Sequence, residues 1–298
     1  MSVGKEKINV LSLFDGISCG QIALERAGIG VENYFASEID KNAIQITMAN
    51  YPNTNQLGDV RNLTIEKSLE IDLLIGGSPC QSFSSVGNGS GFKGKSGLFL
   101  EYVRVLKSLN PKYFLLENVV MKKQWEDIIT ETLGVSPIKI NSRLLSAQNR
   151  PRLYWTNIPN IKEPIDKGET IKYKNEWFDE IKIVPFVQSK LKNWDTLNCF
   201  FNPYNKAILK SKTPTLTATG NRQTTSATIM FNDNGIFKMA NSKYWEALQT
   251  LPNNYTKGFS ENIRKNAIGN GWTVDVIAHI FSFLKEGKFL NSFSDENV

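Results

Sequence analysis

One cysteine stands where the sequence can place a reactive nucleophile. Cys80 lies in the segment GGSPCQ, directly after the apolar run 71–75. The thiolate of cysteine is a strong nucleophile where its surroundings favour ionisation. Cys19 and Cys199 share no CxxC spacing with it and His279 is the only histidine, so neither a disulfide framework nor a zinc site is indicated. The two interpretations of Cys80 are a covalent catalyst and an inert structural cysteine.

Charged side chains adjoin two further apolar runs. Glu117 follows the run 113–116, and Arg150 and Arg152 precede the run 153–156. A carboxyl group at the end of a buried strand is suited to proton transfer. Two arginines at i and i+2 of an extended segment point to the same side, where they can hold a phosphate or a carboxylate. The alternatives are a helix cap and a solvated basic edge.

The segment FDGISCG is typical of a turn that binds a nucleotide-like cofactor. Gly16 and Gly20 let a ligand approach the backbone, and Ser18 can cap the helix that follows. Glu38 comes twenty-two residues after Gly16, a spacing that suits a carboxylate on ribose hydroxyls. Asp59 follows the next extended stretch, where it can meet an adenine amino group. The motif is not GxGxxG and a Walker lysine is absent, which disfavours hydride and phosphoryl transfer.

Short apolar runs alternate with amphipathic stretches over the first 160 residues. The pattern predicts strands at 8–14, 34–39, 71–75, 113–116 and 153–156, and helices at 21–27, 42–50, 98–109 and 274–284. Continuous apolar strands separated by helices indicate an α/β fold, with a doubly wound, mainly parallel sheet covered on both faces. The candidate residues above follow or adjoin strands, and the carboxyl edge of such a sheet is where ligands bind.

Composition sets broad limits. The chain has 298 residues, 41% of them hydrophobic, which suits a large domain with a smaller one attached. A net charge of +6 is compatible with a polyanionic partner and equally with an ordinary basic protein. No apolar run of membrane-spanning length and no signal-peptide order are present, so we expect an intracellular protein without a membrane partner.

Taken together and in order, these motifs resemble the DNA (cytosine-5)-methyltransferase family. The set is highly specific, although its single members are not, and only 160–212 lies outside it. The resemblance rests on Phe14-Asp15-Gly16, Glu38, Pro79-Cys80-Gln81, Glu117-Asn118-Val119, the QxRxR from Gln148 to Arg152, and Gly269-Asn270-Gly271. Several details, such as the tryptophan in Gly271-Trp272-Thr273-Val274, are closer to the de novo branch of animal enzymes. A compact chain could equally be prokaryotic or viral.

The resemblance implies methyl transfer from S-adenosylmethionine to C5 of cytosine in double-stranded DNA. It implies that Cys80 adds covalently to C6 of a flipped-out base, that Glu117 contacts N3, and that Arg152 supports the developing charge. The implied catalytic residues are Cys80, Glu117, Arg150 and Arg152. The implied cofactor-binding residues are Phe14, Asp15, Gly16, Ile17, Cys19, Glu38, Ile39, Asp59, Val60, Pro79, Asn270, Gly271 and Trp272. No metal is expected.

The resemblance also suggests how the chain is divided. We predict a catalytic and cofactor-binding domain at 1–159, a small target-recognition region with a Thr-rich segment at 160–240, and a C-terminal segment at 241–298 that completes the first domain. Val86 would fill the gap left by the flipped base. The implied DNA-binding residues are Gln81, Ser84, Val86, Thr217, Thr219, Asn221 and Arg222. The target sequence, a restriction partner and a homo-oligomeric state, which the animal branch adopts, stay open.

Two alternatives remain at this point. The first is methylation of tRNA cytosine by the RNA-acting branch, which carries Cys-Phe-Thr where this chain has Cys199, Phe200 and Phe201. The second is a catalytically silent binding protein on the same fold. The presence of Cys80, Glu117 and Arg152 together argues against the second.

Overall fold

The computed structural model describes residues 7–64, 70–79, 97–192, 194–218 and 222–284. The chain forms two compact units, each described here by itself. The first consists of residues 1–140, 151–163 and 276–298, and the second of residues 141–150 and 164–275. The functional division predicted at residues 159 and 240 stays a prediction, and the compact units differ from it in placing 141–150 and 241–275 in the second unit.

The first unit is built on a sheet of seven strands. They are β1 (Ile8–Leu13), β2 (Val31–Ser37), β3 (Asn55–Gln56), β4 (Leu73–Gly76), β5 (Tyr113–Val119), β6 (Ile138–Asn141) and β7 (Pro151–Thr156). Their order is β3-β2-β1-β4-β5-β7-β6. The pairs β1–β2, β1–β4, β2–β3 and β4–β5 are parallel, and β5–β7 is antiparallel. The predicted α/β fold with a mainly parallel sheet is confirmed.

The strand order creates a switch point between β1 and β4. The chain runs outward from β1 through β2 and β3, and then returns to place β4 on the other side of β1. The crossovers on the two sides diverge there, and open α/β sheets bind their ligands in the crevice beyond the carboxyl ends of those strands. The segments that follow β1 and β4 are the ones that carry the candidate cofactor turn and lead to Cys80.

Three helices of the first unit lie close to their predicted positions, and a fourth, at 123–133, was not predicted. They are α1 (Cys19–Ala27), α2 (Lys41–Asn50), α3 (Leu98–Leu109) and α4 (Lys123–Leu133). Gly28 ends α1 in a left-handed conformation with φ 64°, which glycine adopts without a steric cost. The side chain of Asp40 starts α2 by accepting the backbone N–H of Asn42 at 2.8 Å.

The core of the first unit lies between the sheet and these helices. Leu13, Leu74, Tyr102, Leu116 and Trp155 are fully buried in one cluster. Burial of each such side chain contributes roughly 2 kcal/mol to the hydrophobic stabilisation. The alternation of buried strand and amphipathic helix therefore fixes the sheet on which the candidate residues stand.

The second unit has a small sheet of its own and three helices. The strands are β8 (Phe178–Glu180), β9 (Phe200–Asn202), β10 (Ala207–Leu209), β11 (Met230–Asp233) and β12 (Ile236–Ala240), in the order β10-β9-β11-β12-β8. All neighbours are antiparallel. An Asn234-Gly235 turn with positive φ at both residues joins β11 to β12, as expected for a tight hairpin. The helices are α5 (Pro185–Leu191), α6 (Ser242–Leu248) and α7 (Glu261–Asn270).

Aromatic rings dominate the packing of the second unit. Tyr173 stacks on Phe231 at 4.4 Å between ring centroids, and Phe178 contacts both rings. In a second hydrophobic cluster, Phe201 and Met230 are fully buried. Such pairs add about 1 kcal/mol each beyond the area they bury.

The C-terminal helix α8 (Val274–Ser282) begins in the second unit and continues in the first. It ends two residues before the predicted limit of 284. Its residues Val276, Ile277, Ile280 and Phe281 are fully buried, in keeping with their spacing on one helical face.

Candidate active site

The turn after β1 is held in an uncommon backbone conformation. Phe14, Gly16 and Ser18 all have left-handed φ angles, of 57°, 59° and 53°. A residue with a Cβ atom adopts this region at a cost of about 1 kcal/mol, so surrounding contacts must hold it there. The backbone N–H of Asp15 donates to the carbonyl of Ser37 at 3.2 Å and ties the turn to the end of β2.

Ser18 corrects one expectation from the sequence. It occupies the position before α1, but its side chain makes no capping hydrogen bond to the helix. Its left-handed conformation directs the hydroxyl to the carboxylate of Asp15, to which it donates. The hydroxyl therefore stabilises the turn instead of the helix N-terminus.

Glu38 closes the turn from the end of β2. One carboxylate oxygen accepts the N–H of Gly16 at 2.8 Å, and the other accepts those of Ile39 and Asp40 at 2.7 and 2.8 Å. The side chain of Ile39 is 66% exposed beside this carboxylate. An exposed apolar surface next to a fixed carboxylate at the switch point is suited to an adenosine group.

Asp15 has a different environment from Glu38. Its carboxylate accepts the hydroxyls of Tyr34, at 2.8 Å, and of Ser18. Burial raises the pKa of Asp15 to about 6, although these hydroxyls lower it. The side chain is thus engaged by the protein, and a direct contact of Asp15 with a cofactor stays a prediction.

Asp59 is paired with a nearby arginine. Its oxygens accept from Nε of Arg61 at 3.0 Å and from Nη2 at 2.5 Å, which lowers the pKa of Asp59 to about 2. The predicted cofactor neighbours Ile17, Cys19 and Val60 are buried. Cys19 therefore lies in the wall of the first unit, as expected for a thiol that does not react, and its contact with a cofactor stays a prediction.

A buried asparagine fixes the segment that leads to Cys80. Asn118, at the carboxyl end of β5, donates from Nδ2 to the carbonyl of Ser78 at 3.3 Å and to its hydroxyl at 3.2 Å. Asn118 and Ser78 are both buried, and Pro79 follows directly. Since Pro79 restricts the backbone before it, the residues that lead to Cys80 are anchored to the strand that carries Glu117.

Glu117 and Arg152 meet at this edge. Oε1 of Glu117 lies 2.9 Å from Nε of Arg152, and their side chains are only 12% and 13% exposed. The antiparallel pairing of β5 with β7 sets Arg152 opposite Val119 and Tyr154 opposite Glu117, which brings the ion pair together diagonally. Arg152 also donates from Nη1 to the carbonyl of Pro151 at 2.8 Å, which limits the positions that its guanidinium can take.

Several predicted site residues lie outside the described ranges, and their roles stay predictions. They are the nucleophile and its neighbours on the following segment, together with two members of the Thr-rich segment: Cys80, Gln81, Ser84, Val86, Thr219 and Asn221.

Arg150 has contacts that differ from those expected of a site residue. It is 5% exposed and lies in the second unit, where it donates to the carbonyls of Leu216 at 2.8 Å, Gly271 at 2.9 Å and Gly269 at 3.4 Å. The expectation that Arg150 and Arg152 act together stays a prediction, while these contacts hold the Arg150 guanidinium against the backbone. The physical reason is that Arg150 precedes β7, in a segment that pairs with residues 213–216 of the second unit.

The remaining predicted residues also lie in the second unit. Asn270 ends α7, Gly271 and Trp272 follow it, and Thr217 and Arg222 are exposed. Their contacts with a cofactor or with DNA stay predictions. The structure explains why residue 269 is a glycine, because a Cβ atom there would lie 2.5 Å from the carbonyl carbon of Thr217.

Three residues that form hydrogen bonds with the predicted site residues were not identified from the sequence. They are Tyr34 of Asp15, Arg61 of Asp59, and Ser78 of Asn118. Arg61 has a detectable signal, since an Asp two residues before an Arg often forms a local turn. Tyr34 lies in an apolar strand, where a buried hydroxyl requires a partner, but the sequence does not name that partner.

Two further features concern the described residues as a set. They include no group of three or more His, Cys, Asp or Glu side chains arranged to hold a metal ion. No helix within the described ranges combines the length and apolar character of a membrane span.

Comparison with known proteins gives a family. Residues 8–183 match the model of the C-5 cytosine-specific DNA methylase family. The orphan methyltransferase M.SPRI of Bacillus phage SPR is 40% identical over 177 residues, which are 55% of this chain and 40% of that protein. The type II methyltransferase M.NgoBV of Neisseria gonorrhoeae is 32% identical over 216 residues, which are 63% of this chain and 51% of that protein. The chain thus spans about half of these relatives' length or less.

Solved structures show the same fold. A mutant of Spodoptera frugiperda DNMT2 superposes with a TM-score of 0.67 at 18% identity, covering 94% of this chain and 100% of that one. The Entamoeba histolytica methyltransferase EhMeth gives a TM-score of 0.66 at 16% identity, covering 95% of this chain and 99% of that one.

Proposed function

The chain belongs to the C-5 cytosine-specific DNA methylase family, and from that premise we propose that it methylates C5 of cytosine in double-stranded DNA. The methyl donor is S-adenosylmethionine, and Cys80 is the covalent nucleophile. The observation that carries this proposal is the Glu117–Arg152 ion pair at 2.9 Å, on the strand whose Asn118 anchors the segment before Cys80. We assign catalysis to the first unit and DNA recognition to the second.

The residues at the switch point fit an adenosine-containing methyl donor. Glu38 is fixed by three backbone N–H groups, and the exposed side chain of Ile39 offers an apolar surface beside it. Asp59 is ionised and paired with Arg61, whose side chain is 63% exposed. When bound, S-adenosylmethionine supplies an electrophilic methyl group on a sulfonium centre.

Cys80 must activate a carbon that is a poor nucleophile. Its thiolate adds to C6 of cytosine and forms a carbon–sulfur bond, the C5–C6 π pair shifts to the C4–C5 bond, and the C4–N3 π pair moves onto N3, which takes up a proton. C5 thereby becomes enamine-like and receives the methyl group. N3 then gives its proton back, and loss of the C5 proton to a base regenerates the C5–C6 double bond and expels Cys80 as the thiolate.

Glu117 and Arg152 support this step from the end of β5 and the start of β7. Glu117 donates a proton or a hydrogen bond to N3, and Arg152 holds the base and stabilises the charge that develops during addition. Their pairing fixes the rotamers of both side chains before substrate arrives. Fixed donors of this kind stabilise a transition state without reorganisation.

The target base must leave the duplex to reach this edge. Flipping costs a few kcal/mol of stacking and pairing, and we assign Val86 as the apolar side chain that fills the gap. Thr217 and Arg222, which are exposed, and Gln81, Ser84, Thr219 and Asn221 are proposed to hold the DNA backbone or neighbouring bases.

The test is methyl transfer from labelled S-adenosylmethionine to unmethylated duplex DNA, followed by bisulfite sequencing. We expect protected cytosines in one short sequence context. Cys80→Ser should abolish incorporation. Cys199→Ser is the matched control and should retain it, because Cys199 donates to the carbonyl of Thr196 and burial raises its pKa.

The same assay separates the RNA alternative. Incorporation into tRNA but not into DNA would contradict the proposed substrate while leaving the nucleophile in place. Incorporation into DNA by Cys80→Ser at the wild-type rate would contradict the covalent mechanism.

A further inference from the structure

A tyrosine outside the predicted site contacts the turn 14–18, which is the candidate cofactor-binding turn. The ring of Tyr34, on β2, is buried, and its hydroxyl donates to Oδ1 of Asp15 at 2.8 Å. The other oxygen of Asp15 accepts the hydroxyl of Ser18. The carboxylate therefore joins β2 to the start of α1 across the turn.

This link stabilises an uncommon backbone conformation of the turn. Phe14, Gly16 and Ser18 all have left-handed φ angles, and Asp15 lies in the middle of them. A conformation of this kind persists only where neighbouring contacts over-determine it. Glu38 holds the outer side of the turn through the N–H of Gly16 at 2.8 Å, and the carboxylate of Asp15 holds the inner side.

We propose that Tyr34 is a positioning residue for the methyl donor: through Asp15 it keeps the turn 14–18 in the conformation that receives the cofactor. This inference rests on the proposed function, because it assumes that the turn binds S-adenosylmethionine. Tyr34 itself is buried and acts on the cofactor only through Asp15.

The charge state of Asp15 supports the inference. The groups facing it are Ser12 on β1, Tyr34 on β2, Ser18 before α1, and Glu38 after β2. Burial raises the pKa of Asp15 to about 6, and the hydroxyl of Tyr34 opposes that rise. Loss of this hydroxyl should move the pKa of Asp15 further upward, so that a larger fraction is protonated near pH 7.

The experiment compares two tyrosine variants of the full chain. Tyr34→Phe removes only the hydroxyl that contacts Asp15. Tyr51→Phe removes a hydroxyl that donates to Glu25 at 3.0 Å, between the end of α2 and α1. Titration calorimetry measures the Kd of S-adenosylmethionine between pH 5.5 and 8, and methyl transfer at saturating cofactor measures kcat.

We expect Tyr34→Phe to raise the Kd about tenfold at pH 7, which is the loss of one hydrogen bond to a charged group, with kcat within threefold. The midpoint of the pH dependence of the Kd should move upward. Tyr51→Phe should leave the Kd within twofold and the midpoint unchanged. A loss of general stability alone would lower the melting temperature without moving this midpoint.

A double variant tests whether the effect passes through Asp15. In an Asp15→Ala background, Tyr34→Phe should change the Kd by less than twofold, since the acceptor of the Tyr34 hydroxyl is already absent. Additive effects would overturn the inference, as would an unchanged Kd in Tyr34→Phe. If the wild-type chain fails to bind S-adenosylmethionine, the proposed function fails together with this inference, whereas normal wild-type binding with an unchanged Tyr34→Phe refutes the inference alone.

Discussion

The two units use the same kinds of side chain for different ends. In the first, Glu117 and Arg152 pair at the carboxyl edge of the sheet, where each remains partly accessible. In the second, Arg150 binds three backbone carbonyls, and Glu246 accepts Nη2 of the buried Arg264 at 3.0 Å. Charged groups at an open sheet edge are available for chemistry, whereas those enclosed by backbone stabilise the fold.

The amide side chains of the two units differ in the same way. Asn118 in the first unit anchors the segment that leads to the nucleophile. Gln148 and Gln249 in the second bind each other, and Gln148 also accepts the N–H of Leu216 at 2.9 Å. The second unit thus ties the segment before β7, the Thr-rich segment and the residues after α6 into one polar core. These hydrogen bonds explain why residues 241–275 belong to the second compact unit.

Arg152 offers the sharpest test of this contrast. Arg152→Ala should lower kcat on DNA at least 100-fold, because the proposed support for developing charge is lost. The free energy of unfolding of this variant should fall by about 2 kcal/mol, because Glu117, only 12% exposed, is left without its counter-charge. Steady-state kinetics and urea unfolding measure the two quantities. Activity within threefold of wild type would remove Arg152 from the mechanism.

Arg150 should show the reverse pattern. Arg150→Ala leaves buried carbonyls without their donor, so the free energy of unfolding should fall by about 3 kcal/mol. The folded fraction should keep kcat within threefold. Arg143→Ala, at an exposed position of the same segment, is the control and should be near neutral. Loss of kcat at unchanged stability would instead support the catalytic role expected from the sequence.

Gly269 tests the packing of the Thr-rich segment on α7. Gly269→Ala places a Cβ atom 2.5 Å from the carbonyl carbon of Thr217, and should lower the free energy of unfolding by about 2 kcal/mol. Asn266→Ala on the exposed side of the same helix should have little effect. Thermal melts of both variants measure the difference, and equal stability of the two would show that this close approach is absent.

Asp15, like Glu38, departs from this pattern within the first unit, because its carboxylate holds backbone geometry. Its pKa in the folded state is raised to about 6, so its contribution to stability is present below its unfolded pKa of about 3.9 and is lost as the pH rises through 6. Relative to wild type, Asp15→Asn should therefore gain about 1 to 2 kcal/mol between pH 4 and pH 7, less than the full shift implies because solvent reaches the turn. Urea unfolding at several pH values measures it, and a constant difference would contradict the assignment.

The sequence predicted the first unit well because its strands are continuous apolar runs. The helix at 98–109 has the predicted limits, and β1 and α2 differ by one residue. The strand β2 begins at Val31, three residues before the prediction, since pairing with Ile8 extends it through polar residues. The strands β3 and β6 were missed, because short edge strands carry little periodicity.

The second unit was harder to predict for a related reason. Its strands have three to five residues, too few for an alternating pattern to be distinguished from a loop. The tertiary partners of Arg150 and Asp15 were also invisible, because both depend on residues far away in the chain. The order of the motifs identified the family. The sequence did not show, however, that Arg152 lies at a sheet edge whereas Arg150, two residues earlier, is enclosed by backbone carbonyls.

The central claim is that Cys80 forms a covalent bond with C6 of cytosine. A duplex containing 5-fluorocytosine at the target site tests it directly, because fluorine on C5 cannot leave as a proton and the thioether stays in place. With S-adenosylmethionine present, wild type and Cys199→Ser should give a protein–DNA band stable to denaturing electrophoresis, and Cys80→Ser should give none. An equally strong band from Cys80→Ser, or methylation of ordinary DNA by wild type without any trapped band, would contradict the account.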